Sequence, residues 1–348
     1  MAVNNSTNRY AVANFIVAPT IQEGANYTTI AAAIADASSG DTIFIKPGTY
    51  TEDLTLKAGV YLTAFNTDGT GNNVNINGKL TANYTSGCQI SGISLRTNSD
   101  NFLAVSGSNV GNIRFINCRL TALDATGINI DNANFTARCE DCILTGSSGN
   151  LIFDITSIGS IEFTQSTLSG GTGVNLIDDG AVVFFNSRVS GTSITTATTG
   201  RVNCFNTQWD NGAANQTVLT MAGTNTNIIA NSQFFTGTAQ SFSIGSGCVL
   251  NLSNCSVTSS NATVIGGAGT LTYSNINTMG TSDVVGATTE VAKYANLGKF
   301  KAKSQPAFLA YLASIVTNAT GNNTTYTLGA TALTEVFDQG SDFNTNGS

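Results

Sequence analysis

Short apolar strings recur along the chain, each alternating apolar and polar positions before a single polar mark. They read "IRFINCRL" from Ile113, "ARCEDCIL" from Ala137, "IEFTQSTL" from Ile161, "VVFFNSRV" from Val182, "VNCFNTQW" from Val202, "IIANSQFF" from Ile228, "LNLSNCSV" from Leu250 and "LTYSNINT" from Leu271. The marks are Asn117, Asp141, Gln165, Asn186, Asn206, Asn231, Asn254 and Asn275, spaced 20 to 25 residues apart. "ISGISL" fits as an earlier member, with Gly92 at the mark. Between marks lies a second apolar string, such as "INIDNAN", "LIFDITS" or "VNLIDDG", ending in turn-forming residues. Each repeat therefore holds at least two short strands and two or three turns, with no room for a helix.

Such a period predicts an all-β right-handed parallel β-helix of about 9–11 coils. One coil cannot bury its own apolar face, but stacked coils pair edge to edge about 4.8 Å apart and bury a continuous core, giving a rod of about 45–50 Å. A β-sandwich would show paired hairpin strands, and leucine-rich repeats would show a Leu-x-x-Leu-x-Leu frame; neither pattern is present. The marks are expected to form an amide-rich ladder, with side chains hydrogen-bonded along the rod axis. The position after each mark holds Cys118, Cys142, Ser166, Ser187, Thr207, Ser232, Cys255 and Ile276. That series asks for a small or medium side chain at a strand bend, not for a thiolate.

Near the start, Ile30, Ala33, Ile34 and Ala37 share one face of a short amphipathic helix, and Gly40 suits its stop. Such a helix would cover the unpaired strand edge of the first coil. The stretch "TTIAAAIADASSGDTIFIKPGTYTEDLTL" resembles the opening of the pectin lyase superfamily of right-handed parallel β-helices, which includes pectinesterases. Many phage tail fibres and tailspikes share that architecture. The resemblance covers residues 25–285 and implies fold more than activity. "LIDDGAVVFFN" resembles a pectinesterase segment that carries an active-site Asp, but the Leu-Gly-Arg-Pro-Trp string of that family is missing and Trp209 sits in "TQWDN". No catalytic role is carried over.

The repeat stops after residue 285. Residues 1–24 read as an N-terminal extension or attachment segment and 286–303 as a linker. Residues 304–348 have a different texture, and "AFLAYL" with "EVFDQGSDFN" resembles the start of a complement-head or tumour-necrosis-factor-like jelly roll. That resemblance implies a trimerising head, here incomplete at Ser348, as expected of a truncated, processed or partly disordered product.

Composition narrows the function classes. Only 10% of residues are charged, the net charge is −7, and no basic cluster stands out, which argues against nucleic acid as a partner. There is no His, so the commonest general base and metal ligand is missing. No stretch suits a secretory leader or a membrane span, so synthesis in a cytoplasm without membrane insertion is expected. Seven Cys cannot all pair within one chain. Cys139 and Cys142 have metal-ligand spacing but lack a second pair, and simple strand alternation would send them to opposite faces. No metal or cofactor is expected.

Carboxylates are what remains for chemistry. Stacking the repeats puts Asp131 and Asp154 in one column, with Asp178 and Asp179 near the next rung. Carboxylates on adjacent rungs could form an acid–base pair for glycan cleavage, and equally could satisfy turn backbone. Arg114, Arg138 and Glu162 occupy another column, where Arg138 and Glu162 could pair. Trp209, Phe234, Phe235 and Tyr273 could stack on sugar rings where exposed, and alternation should leave one of Phe234 and Phe235 outside. The first expectation is a non-enzymatic structural or receptor-binding fibre protein of a virion. It would be a homotrimeric bacteriophage tail fibre that contacts other virion proteins and a host-surface polysaccharide or receptor. The alternative is a tailspike-type polysaccharide lyase or hydrolase, and a third reading is a bacterial surface adhesin.

Overall fold

In the computed structural model the chain winds as a right-handed parallel β-helix, each coil contributing three short strands. The structure describes residues 15–19, 25–65 and 73–279, apart from short gaps at 83, 85, 98–100, 106–109, 123–126, 132–133, 147–152, 157, 171–173, 213–214 and 262. It also describes 284–285, 289–292, 308–312 and 333–338. A representative coil runs through strands Asn134–Glu140, Ile143–Gly146 and Phe153–Ile155. The first two strand positions of each coil belong to one hydrogen-bonded set of 22 strands, and the third position forms a sheet of 11. Pairing is parallel and in register, Phe115 beside Cys139 and Cys139 beside Phe163.

The bend between the first and second strands is set by the marked residue. Asn117, Asp141, Gln165, Asn186, Asn206, Asn231, Asn254 and Asn275 all take φ between 49° and 51°, and Gly92 takes 68°. This left-handed region is costly for most side chains, least so for Gly, Asn and Asp. The Asn side chains also link successive coils. Asn206 donates to Asn186 at 3.1 Å, Asn254 to Asn231 at 3.1 Å, and Asn275 to Asn254 at 2.8 Å.

One left-handed residue also resets the alternation of side chains, with a consequence that strand parity misses. Cys139 and Cys142, flanking Asp141, both point into the core, at 0% and 1% exposure. The opposite-face expectation fails because the chain turns a corner between them instead of running straight. The position after each bend is therefore an inner column of small polar groups that close the corner. The Ser166 hydroxyl donates to the carbonyls of Thr164 and Cys139, at 2.9 and 3.1 Å, and accepts from the Cys142 amide at 3.1 Å. Ser187 repeats this one coil on, donating to Phe185 and Phe163 carbonyls and accepting from the Ser166 amide.

The core is a stack of like residues along the rod. Phe163 stacks on Phe184 with ring centroids 5.2 Å apart, Phe184 meets Trp209 edge-on at 5.5 Å, and Trp209 stacks on Phe234 at 6.3 Å. Burying each such ring contributes about 2–3 kcal/mol, and none could be buried by a single coil alone.

Helix Ile30–Asp36 covers the first coil, with Ile30, Ala33 and Ile34 buried. Its two ends are held by charges from that coil. Glu52 accepts from the Ile30 and Ala31 amides at 2.8 and 3.0 Å. Lys57 Nζ donates to the carbonyls of Ala35 and Ala37 at 3.0 and 2.6 Å. Anion at the N-terminus and cation at the C-terminus both complement the helix dipole. At the other end of the chain, Phe308–Leu312 and Leu333–Asp338 pair antiparallel. Within the expected linker, Thr289–Ala292 pairs in parallel with Thr270–Tyr273 as a further rung; the rest of the linker and head, and most of the expected N-terminal extension, lie outside the described residues.

Candidate functional site

The carboxylates singled out in the sequence gather at one edge of the third sheet. Strand Ile128–Ile130 pairs with Phe153–Ile155, and that with Val174–Ile177. In this register Ile130, Ile155 and Ile177 are level, so Asp131, Thr156 and Asp178, which follow them, share a level on successive rungs. Asp154 lies on the middle rung two residues earlier, level with Asn129 and Leu176. Asp131 and Asp154 are therefore not in one column. Matching the repeat strings misplaces them because the count from mark to third sheet varies: Ile130 follows its mark by 13 residues, Ile155 by 14 and Ile177 by 12.

The resulting arrangement is a triangle. Asp154 is flanked on one rung by Asp131 and on the other by Asp178. By strand geometry each flanking Cα lies about 8 Å from that of Asp154, one rung across and two residues along. Asp131 and Asp178 are exposed, whereas Asp154 is half-buried. Asp131 Oδ1 accepts from the Thr156 hydroxyl at 2.8 Å. Asp154 Oδ1 is buried and has no hydrogen-bond partner among the described residues. Desolvation, followed by the charges of Asp178 and Asp131, raises the Asp154 carboxyl above its ordinary value. An unsatisfied, partly desolvated carboxyl between two carboxylates is the arrangement that keeps a proton available for transfer. Asp179 stands apart, accepting from the Thr199 hydroxyl at 3.1 Å across two turns. Thr156 and Asn129 were missed in the sequence; aligning the inward Ile130, Ile155 and Ile177 would have found both.

The other candidate chemistry resolves differently. All seven thiols are free and buried. Burial raises those of Cys118 and Cys139 and pushes that of Cys88 up to about 12, so these three are held as thiols, not nucleophiles. Among the described residues no group of His, Cys, Asp or Glu could hold a metal ion. Trp209, Phe234 and Tyr273 are core residues, while Phe235 is 48% exposed. A pair not singled out in the sequence, Phe185 and Phe205, stacks at 5.2 Å on the outer face beside the Asn186–Asn206 step. Arg138 Nε meets Glu162 at 3.4 Å. Arg114, level with Arg138, turns to Glu140 instead, Nε to Oε1 at 2.7 Å. These exposed pairs offset like charges and contribute about 0–1 kcal/mol each.

No protein-family model matches the sequence, and a search of curated proteins finds none similar to it. Among solved structures, the chain is similar to the catalytic unit of a thermostable GH87 alpha-1,3-glucanase from Streptomyces thermodiastaticus. The TM-score is 0.50 at 16% identity, over 83% of this chain and 67% of that one. The likeness is one of fold. Looser matches are a pectin methylesterase from Aspergillus niger, at TM-score 0.38, 15% identity and 81% and 91% coverage, and one from Erwinia chrysanthemi, at 0.33, 14%, 68% and 80%. Below a TM-score of 0.5 they add nothing to the fold assignment.

Proposed function

We propose that the chain is a glycan-cleaving β-helix of the tailspike kind, with Asp154 as general acid and Asp131 or Asp178 as general base. The observation that carries this reading is the buried Asp154 Oδ1, without a hydrogen-bond partner among the described residues and with a raised carboxyl pKa, between two exposed carboxylates. Asp154 donates its proton to the leaving glycosidic oxygen, and the ionised partner takes a proton from the attacking water. The anomeric configuration of the product distinguishes inversion from retention. That the α-1,3-glucanase shares the fold makes a polysaccharide substrate a natural first choice. The test is release of reducing ends from α-1,3-glucan, homogalacturonan and bacterial capsular polysaccharides, with anomeric configuration followed by NMR. Asp154→Asn should abolish release while leaving the circular dichroism unchanged. Undiminished activity in that variant, or none on any polymer with the intact protein, overturns the reading.

A second reading, a non-catalytic virion fibre that binds host glycan, is favoured by the C-terminal segment. Its strands Phe308–Leu312 and Leu333–Asp338 pair antiparallel, as strands of a jelly roll do. Sedimentation would show a trimer for such a fibre, and polymer would be bound but not shortened. A stable monomer counts against it.

A further inference from the structure

Three of the seven thiols meet at one corner of the core. Ile116 is level with Glu140 and Arg119 with Ile143, so Cys118 and Cys142 stand level on adjacent rungs, both just past a bend. On these two rungs the inner column carries thiols on successive coils; the coils that follow carry Ser166, Ser187 and Thr207. Cys139 comes from the neighbouring inward column, where the coils before and after carry Phe115 and Phe163. The corner beside Cys142 thus holds a small side chain where its neighbours hold a ring. All three residues are buried.

The thiols of Cys118 and Cys139 both reach that of Cys142. Their hydrogen bonds lower it from its ordinary value, Cys118 most and then Cys139, against the opposing push of burial. Burial holds Cys118 and Cys139 themselves up. Cys142 is therefore the sulfur that ionises first, and the thiolate is the form that attacks an oxidant. Adjacent rungs put the Cα atoms of Cys118 and Cys142 about 4.8 Å apart, inside the roughly 4.4–6.8 Å that a disulfide spans. A Cys139–Cys142 link would have to close across the bend itself, whose path Asp141 fixes at φ 51°. We propose that Cys118 and Cys142 are an oxidisable pair, which hydrogen peroxide converts into a disulfide that staples one coil to the next. The Cys142 thiolate attacks one peroxide oxygen, the O–O bond breaks, and the departing hydroxide takes up the proton that Cys142 released, leaving as water. The Cys142 sulfur, now a sulfenic acid, is attacked by the sulfur of Cys118. Its S–O bond breaks, and the leaving hydroxide takes the Cys118 proton as a second water. The two thiols lose two electrons in all, and the peroxide gains them. Such a staple stays open where thiols are kept reduced and closes where they are not. It is independent of the glycan reading, because it uses none of the carboxylates.

The experiment exposes the reduced full-length chain to hydrogen peroxide below its melting temperature, with the urea-unfolded chain as a control for the oxidant. The thiols titrated after unfolding should fall by two from seven, and a non-reducing digest should join the peptides of Cys118 and Cys142. The linked protein should melt higher than the reduced one, because the link closes a loop between positions 24 residues apart, and a dithiol reductant should reverse the shift. Cys118→Ser, which the column accommodates as it does Ser166, should stop at a sulfenic acid on Cys142 that a 1,3-dione captures on unfolding. Cys139→Ser should form the same link as the parent. Seven thiols remaining in the folded chain under conditions that oxidise the unfolded control overturn the proposal. A link between Cys139 and Cys142, a dimer joined through either residue, or a linked protein that melts lower than the reduced one overturns it equally.

Discussion

Asn206 donates from Nδ2 to Oδ1 of Asn186, 3.1 Å away on the preceding coil, and both residues sit at left-handed φ, 51° and 49°. The same amide thus meets two demands: it tolerates the bend and ties adjacent coils. These contributions can be separated. Asn206→Ala removes the hydrogen bond and places an alanine in the left-handed region, for a loss of about 2 kcal/mol. Asn206→Gly removes only the hydrogen bond and keeps the bend relaxed, as Gly92 does naturally, so it should cost about 1 kcal/mol or less. Since coils can open locally, hydrogen exchange at residues 201–211 is the suitable measurement. Equal losses in the two variants would remove the conformational part of this account.

The inner column makes a prediction about thiols. All seven are buried and free, and Cys142 occupies the position that Ser166 fills one coil later. Native protein should therefore react with a thiol reagent only as fast as it opens, and unfolded protein should titrate seven thiols. Cys142→Ser should cost less than about 1.5 kcal/mol, because a hydroxyl there finds the same corner carbonyls, Glu140 and Phe115, that the thiol contacts. A rapidly labelled thiol in native protein would contradict the packing described here.

The N-terminal helix is fixed by Glu52 below and Lys57 above. Glu52→Ala leaves two amides without their carboxylate and should lower stability by about 1–2 kcal/mol. Loss of the helix would bare Ile30 and Ile34 and the open edge of the first coil, a template for pairing with other chains. The measurable outcome is concentration-dependent association of Glu52→Ala on size exclusion. An Ala32→Gln variant, on the exposed face of the helix and leaving both amide bonds to Glu52 in place, is the control that should remain monodisperse.

How far the sequence leads is visible in these elements. The helix, its buried face and the bend positions were legible because each depends on local pattern: an amphipathic period, a turn-former, a repeated amide. Cys139 and Cys142 were misread because parity presumes a straight strand, and one left-handed residue cancels that presumption. Asp131 and Asp154 were misaligned because the distance from the mark to the level isoleucines of the third sheet, which includes the second strand, varies from 12 to 14 residues, and the register there is set by those inward isoleucines and not by counting.

The strain at Asp154 gives the last prediction, and it concerns stability as well as activity. Its carboxyl is raised in the folded protein, chiefly by desolvation, then by Asp178 and Asp131. A carboxyl raised on folding binds its proton more tightly in the native than in the unfolded state. Its favourable contribution is then fully present below the ordinary carboxylate range and is lost as pH rises through the raised value. At neutral pH the cost of ionising Asp154 in the folded state therefore works against folding, and Asp154→Asn should raise the melting temperature there. Below about pH 3, where the carboxyl is protonated in both states, the advantage should vanish. Melting curves of the two proteins from pH 3 to 8 test this, with Asp179→Asn as a control whose carboxylate is bonded to Thr199 in a turn. A variant that gains stability at pH 7 while losing cleavage would mark Asp154 as a group kept at a cost to the fold. A variant less stable than the parent at every pH would instead make Asp154 a structural partner of the third sheet, and the acid role would have to be given up.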